Sequence, residues 1–116
     1  MLQRAVSAVG GTSLDIGNPD DTQRYNLDAN SNHAYTVTQK PTYVISVSMG
    51  SNIAICDVFV WTNDKGYGCT VGQNNVTVFT ETTGDTTKNR VECTSSTVTV
   101  YNTRAQTVYN KTFIYY

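Results

Sequence analysis

From residue 34 onward the chain falls into short runs in which apolar and polar side chains alternate with a period of two. That spacing sorts side chains onto the two faces of a pleated strand and cannot be sorted into faces by a helix. The residues that carry it are Val, Ile, Thr, Tyr and Phe, whose branched or aromatic side chains lose rotamer freedom in a helix and pack well in a sheet. The run YVISVSM at residues 43–49 puts Tyr43, Ile45, Val47 and Met49 on one face and Val44, Ser46 and Ser48 on the other. An all-β fold follows.

A short strand at residues 13–16 followed by a turn-rich loop at 17–21 is expected, Tyr25 to Asn32 is polar and Asn-rich, and further strands are expected at residues 34–39, 42–49, 53–62, 68–72, 75–81, 90–94, 97–102 and 106–116. Between residues 53 and 61 the parity slips: Ile53 and Ile55 share a face, Val58 and Val60 take the other, and Phe59 and Trp61 return to the first. Either that strand is covered on both faces or a bulge near Asp57 re-aims it. Asn63-Asp64-Lys65-Gly66 is expected to form a type I turn closed by a glycine at positive φ, with Thr83-Gly84-Asp85 in a similar part. Many short strands at regular spacing predict an antiparallel β-sandwich or jelly roll, with a small barrel as second choice.

The 116 residues fit one domain, residues 12–116, preceded by an arm, residues 1–11. In the arm Leu2, Val6 and Val9 have loose helical spacing, and Gly10-Gly11 ends the segment before it can be stable alone, so these three residues are candidates for docking on a partner. At the other end Tyr109, Phe113 and Tyr115 fall on one face of the last strand and Ile114 and Tyr116 on the other. Two apolar faces call for burial by another subunit, or for a central place in a sandwich.

A formal net charge of −1 offers no basic field to a nucleic acid, and no apolar run approaches the roughly 18 residues of a membrane span. The first ten residues lack the continuous hydrophobic stretch of a signal peptide. Cys56, Cys69 and Cys93 cannot all pair within one chain, and free, reduced thiols are expected. The sequons Asn75-Val76-Thr77 and Asn110-Lys111-Thr112 then read as accidents of a Thr- and Asn-rich composition.

No enzyme is expected. His33 is the one histidine and lies in a polar stretch with no nucleophile beside it; the cysteines lack the cationic neighbours that lower a thiol pKa; and no glycine-rich phosphate loop is present. Asp57, Glu81, Asp85 and Glu92 could serve glycoside cleavage only if the fold sets two of them at the right separation, and solvated strand-end charges are the plainer reading. No cofactor is expected, calcium being the one ion that any spacing admits: Asp28, Asn30 and Asn32 are spaced like the opening ligands of a calcium loop. His33 then stands where such a loop needs glycine and Gln39 where it needs a bidentate glutamate. Eight Tyr, three Phe and one Trp suit binding better. Trp61 and Tyr67 bracket the turn that carries Asn63 and Asp64, a candidate site for a sugar ring, unless the two aromatics are a cross-strand pair that pins the hairpin.

The segments AYTVT (34–38), KPTYVISV (40–47), VFVW (58–61), GYG (66–68), VTVYN (98–102) and TFIYY (112–116) together resemble the C-terminal β-rich tip domains of bacteriophage tail fibres and related virion adhesins. The resemblance covers residues 34–116. It implies a homotrimer that binds a receptor or decorates a virion, made in the bacterial cytoplasm without a signal peptide, with other virion proteins and a cell-surface glycan or protein as partners. Tail fibres are long chains, and this one holds little beyond the tip, as a separately encoded small virion protein or an excised fragment would. Two other readings are a monomeric carbohydrate-binding module or lectin, and the subunit of a self-assembling extracellular filament whose arm completes a neighbour's sheet by strand addition. Either would place the protein outside the cell.

Overall fold

Nine strands, all paired antiparallel, make up the regular structure of the computed structural model, which describes residues 17–51, 55–70 and 80–116. They are β1 (Asp21–Leu27), β2 (Ser31–Thr36), β3 (Tyr43–Met49), β4 (Cys56–Thr62), β5 (Lys65–Thr70), β6 (Thr80–Glu81), β7 (Arg90–Cys93), β8 (Thr97–Asn102) and β9 (Val108–Tyr115). One sheet runs β1-β9-β3-β4-β5-β6 and the other β2-β8-β7. The two pack face to face as a β-sandwich, not a closed barrel.

The core forms where the apolar set of each sheet meets the other. Leu27, Val44, Phe59, Trp61, Val108 and Ile114 come from the larger sheet, and Tyr35, Val91, Val98 and Val100 from the smaller. Each large side chain removed from water in this way contributes about 1.5–3 kcal/mol. The larger sheet is apolar on its other face as well: Ile45, Val58, Val60 and Tyr115 are buried there, while Met49 and Tyr109, paired across β3 and β9, remain 50% and 44% exposed. β9 lies between β1 and β3, so its two apolar faces belong to a central strand.

A polar patch interrupts the core. Asn110 is fully buried; its Nδ2 donates to Ser46 Oγ and Ser48 Oγ, both at 2.9 Å, and its Oδ1 accepts from Tyr35 Oη at 2.7 Å and Thr112 Oγ1 at 2.6 Å. Among the described residues no buried side-chain polar atom lacks a partner. The asparagine that opens the second sequon is thus committed to the fold.

Several expectations need correction. Residues 21–27, which are not among the expected strands, form β1: as an edge strand with Arg24, Tyr25 and Asn26 exposed it needs no continuous apolar face. The register of β3 with β4 runs unbroken through Asp57, opposite Ser48, so the parity slip reflects burial of both faces and not a bulge. The expected strand at residues 13–16, residues 53–54 of the strand at 53–62, residues 71–72 of that at 68–72 and residues 75–79 of that at 75–81 lie outside the described residues. The β4–β5 turn has Asn63 at φ 51° and Asp64 at φ 62°, and Thr62 pairs with Lys65; this is a two-residue type I′ turn, with Gly66 inside β5 instead of closing the turn. Gly84, at φ 78°, does take the positive-φ place expected for it.

Candidate functional site

Asp57 stands near the start of β4, flanked by apolar residues on a strand buried on both faces, where a lone carboxylate would be costly without partners. The fold supplies them all. Arg104, in the loop between β8 and β9, donates Nε to Oδ2 and Nη2 to Oδ1 at 2.8 Å in a forked pair; Thr70 Oγ1 donates to Oδ1 at 2.7 Å; Asn89 Nδ2 donates to Oδ2 at 2.8 Å. The carboxylate in turn raises the pKa of Arg104. Asn89 carries the network onward, its Oδ1 accepting from both N and Oγ1 of Thr103. Both connecting loops, residues 82–89 and 103–107, are therefore fastened to β4 and β5.

Above this floor lies a cleft of about 390 Å³. Its walls include Phe59, Gly68, Thr80, Glu81, Thr82, Asp85, Thr87 and Lys88. Gly68 is required by close approach: a Cβ there would stand 2.6 Å from Cδ1 of Phe59, whose ring lies over the glycine. Asp85 is held below the usual carboxylate range because its Oδ1 accepts from Thr87 Oγ1 at 2.6 Å and from Thr87 N at 3.0 Å. A second depression of about 370 Å³ adjoins the cleft, sharing Thr87 and Thr103 with it and reaching Asn30, Asn32, Arg90 and Tyr101.

The sugar-site candidates of the sequence are not brought together. Trp61 is 5% exposed and faces the core opposite Gly66, while Tyr67 lies opposite Val60 and Glu81 on the other face. The two are therefore neither a shared stacking surface nor a cross-strand pair. Asn63 and Asp64 are exposed at the turn, where Asp64 pairs with Lys40 at 2.6 Å, at the opposite end of β4 from Asp57.

Asp28 and Asn30 form the β1–β2 turn and Asn32 follows on β2. Asn30 takes φ 51°, and the Asp28 carbonyl accepts from Ser31 Oγ and Asn102 Nδ2. Among the described residues no group of three His, Cys, Asp or Glu side chains is arranged to hold a metal. Of the interface candidates, Tyr109, Phe113 and Tyr115 share the outer face of the larger sheet as expected, with Tyr115 buried, and Leu2, Val6 and Val9 lie outside the described residues.

Of the four carboxylates considered for acid–base work, Asp57, Glu81 and Asp85 do line one cleft, but both oxygens of Asp57 are engaged; Glu92 is held by Arg90 and Tyr101 on the outer face of the smaller sheet. His33 stacks on Tyr25 at 3.6 Å and meets the edge of Tyr35 at 4.9 Å. Burial raises the pKa of all three thiols, to about 12 for Cys69 and Cys93, and all three are free. Sequence reasoning missed Asn89, Thr103 and Arg104. The one signal was Asp57 itself, a charge inside an apolar strand that must have a cationic partner elsewhere.

The fold is a β-sandwich with a polar cleft at one end. Comparison with known protein families, curated proteins and solved structures finds no match to this chain.

Proposed function

We propose that this chain is a non-enzymatic component of a virion, a receptor-binding tip or a capsid or tail decoration, that meets a cell-surface glycan or protein through the loops at the Asp57 end of the sandwich. The observation that carries this reading is the fastening of loops 82–89 and 103–107 to the sheet by Asp57, Asn89 and Arg104. Loops held in one shape before a ligand arrives lose less entropy on binding it. The non-enzymatic part draws support from thiols kept protonated by burial and from an Asp57 carboxylate with no free oxygen. Assembly as a homotrimer draws support from the exposed Met49–Tyr109 pair on the outer face of the larger sheet, an apolar patch suited to a second copy.

The test combines mass and attachment. Light scattering across dilution is expected to give a persistent trimer, and labelled protein is expected to bind bacterial cells in a way that soluble glycans or surface proteolysis abolishes. A monomer that binds free glycans would replace this reading with the stand-alone lectin. Mass that grows without limit as concentration rises would replace it with the filament.

A further inference from the structure

Three of the hydroxyl groups in the cleft are committed in one direction. Thr70 donates its proton to Asp57 at 2.7 Å, Thr87 to Asp85 at 2.6 Å and Thr103 to Asn89 at 2.6 Å. A hydroxyl has one proton and two lone pairs, so three threonines that give their protons to the protein face a ligand chiefly as acceptors. The Asp85 Oδ2 adds to them, since Thr87 uses only Oδ1. Donors are fewer: the Thr80 hydroxyl, the Lys88 ammonium, and the Nη1 edge of Arg104, whose Nε and Nη2 are taken by Asp57.

This balance selects a class of ligand. Phosphates and polycarboxylates carry acceptors and negative charge, and would meet an acceptor-rich wall whose formal charges are Asp57, Glu81 and Asp85 against Arg104 and Lys88. A simple amine, which only donates, would use the acceptors but leave the Lys88 ammonium and the free Arg104 edge without a partner. A neutral ligand with several hydroxyls answers both sets, because each hydroxyl gives one proton to a threonine or carboxylate oxygen and accepts from Lys88 or Arg104. A volume of about 390 Å³ lies within the range of small-molecule sites.

We infer that this cleft is a subsite for a neutral saccharide, with Thr87, Thr103 and Asp85 accepting from its hydroxyls and Lys88 donating to them. The adjoining depression beyond Thr87 and Thr103 takes the next sugar units of the same glycan. The assignment rests on the binding reading above and narrows it from glycan or protein to an uncharged glycan at a named place.

The experiment screens the full chain against a printed panel of neutral hexose, N-acetylhexosamine and deoxyhexose di- and tetrasaccharides, and then titrates each retained saccharide by calorimetry. Thr87→Val and Lys88→Ala, both at exposed positions, are compared with Asp64→Ala at the opposite end, after thermal melts establish that each variant is folded. Inorganic phosphate and propylamine serve as charged probes. The expected result is saccharide binding that weakens about tenfold or more in Thr87→Val and in Lys88→Ala, is unchanged in Asp64→Ala, and is tighter for tetrasaccharides. Saccharide binding untouched by the two cleft variants would overturn the assignment and leave the glycan reading standing. No saccharide binding, with attachment to cells abolished by surface proteolysis, would overturn the assignment and leave a protein receptor. Phosphate or propylamine binding that depends on Lys88 or Thr87, without saccharide binding, would overturn it as well.

Discussion

Tyr35 on β2 donates its phenolic proton to Asn110 Oδ1 on β9 at 2.7 Å, and so ties the smaller sheet to the larger through the middle of the core. Asn110 in turn joins β9 to β3 through Ser46 and Ser48. Removing the amide leaves several buried hydroxyls short of a partner, so Asn110→Ala is expected to cost roughly 2–4 kcal/mol. Tyr35→Phe removes one donor from an oxygen that Thr112 still serves, and about 1 kcal/mol is expected. Urea unfolding followed by Trp61 fluorescence gives the order; equal costs would contradict the network as described.

At the floor of the cleft, Arg104→Met leaves a carboxylate that is 2% exposed without its cation. A fully buried broken pair costs about 3–5 kcal/mol, and the partial exposure of Arg104 brings the expectation to roughly 2–4 kcal/mol. Asp57→Asn/Arg104→Met is expected to be less damaging than the sum of its parts, measured as a double-mutant cycle in denaturant.

Gly68→Ala places a methyl group against the Phe59 ring, and overpacking of this kind costs about 1–3 kcal/mol. Shortening the aromatic in the double variant Gly68→Ala/Phe59→Leu is expected to recover part of the loss. A single variant as stable as the parent would show that the ring moves aside freely.

The Asn63–Asp64 turn separates backbone from side-chain effects. Both residues hold positive φ, which glycine adopts without strain and a β-branched residue resists. Asp64→Gly is expected to leave stability level or raise it by up to about 1 kcal/mol, because the exposed Lys40 bridge it removes is worth little. Asp64→Val is expected to lower stability by about 1–2 kcal/mol. Melting temperatures of the two variants provide the comparison.

Alkaline pH should act through groups whose burial keeps them protonated. Tyr35, Cys69 and Cys93 are each pushed up to about 12, from ordinary values of 10.0 for the phenol and 9.0 for the thiols. Between the ordinary and the raised values the folded protein holds more protons than the unfolded chain, so stability falls as pH rises. Melting temperature is expected to be independent of these groups below about pH 9 and to decline toward about pH 12. A flat profile across that window would contradict the burial of these side chains.

The strands were legible where burial leaves a pattern. TVTVYN at residues 97–102 alternates as β8 alternates, and YVISVSM is β3. β1 was not legible, because an edge strand with exposed Arg24, Tyr25 and Asn26 has no need of apolar periodicity. The turn was placed correctly but typed wrongly: positive φ at Asn63 and Asp64 follows from the tight Thr62–Lys65 pairing of β4 with β5, which no four-residue motif reveals. The cleft was hidden because its parts are far apart in the chain: Asp57 and Arg104 meet across 47 positions, and Asn89 meets Asp57 across 32. Trp61, the conspicuous aromatic, went instead to the core.

The central proposal is that the cleft at the Asp57 end of the sandwich is a subsite for a neutral saccharide. Its most direct test is a nitrogen-15 amide correlation spectrum of the full chain, recorded with and without a mixture of neutral disaccharides. The account predicts shifts confined to Thr87, Lys88, Asn89, Thr103 and their neighbours. Shifts at the Asn63–Asp64 hairpin, or a spectrum that saccharides leave unchanged, would contradict it.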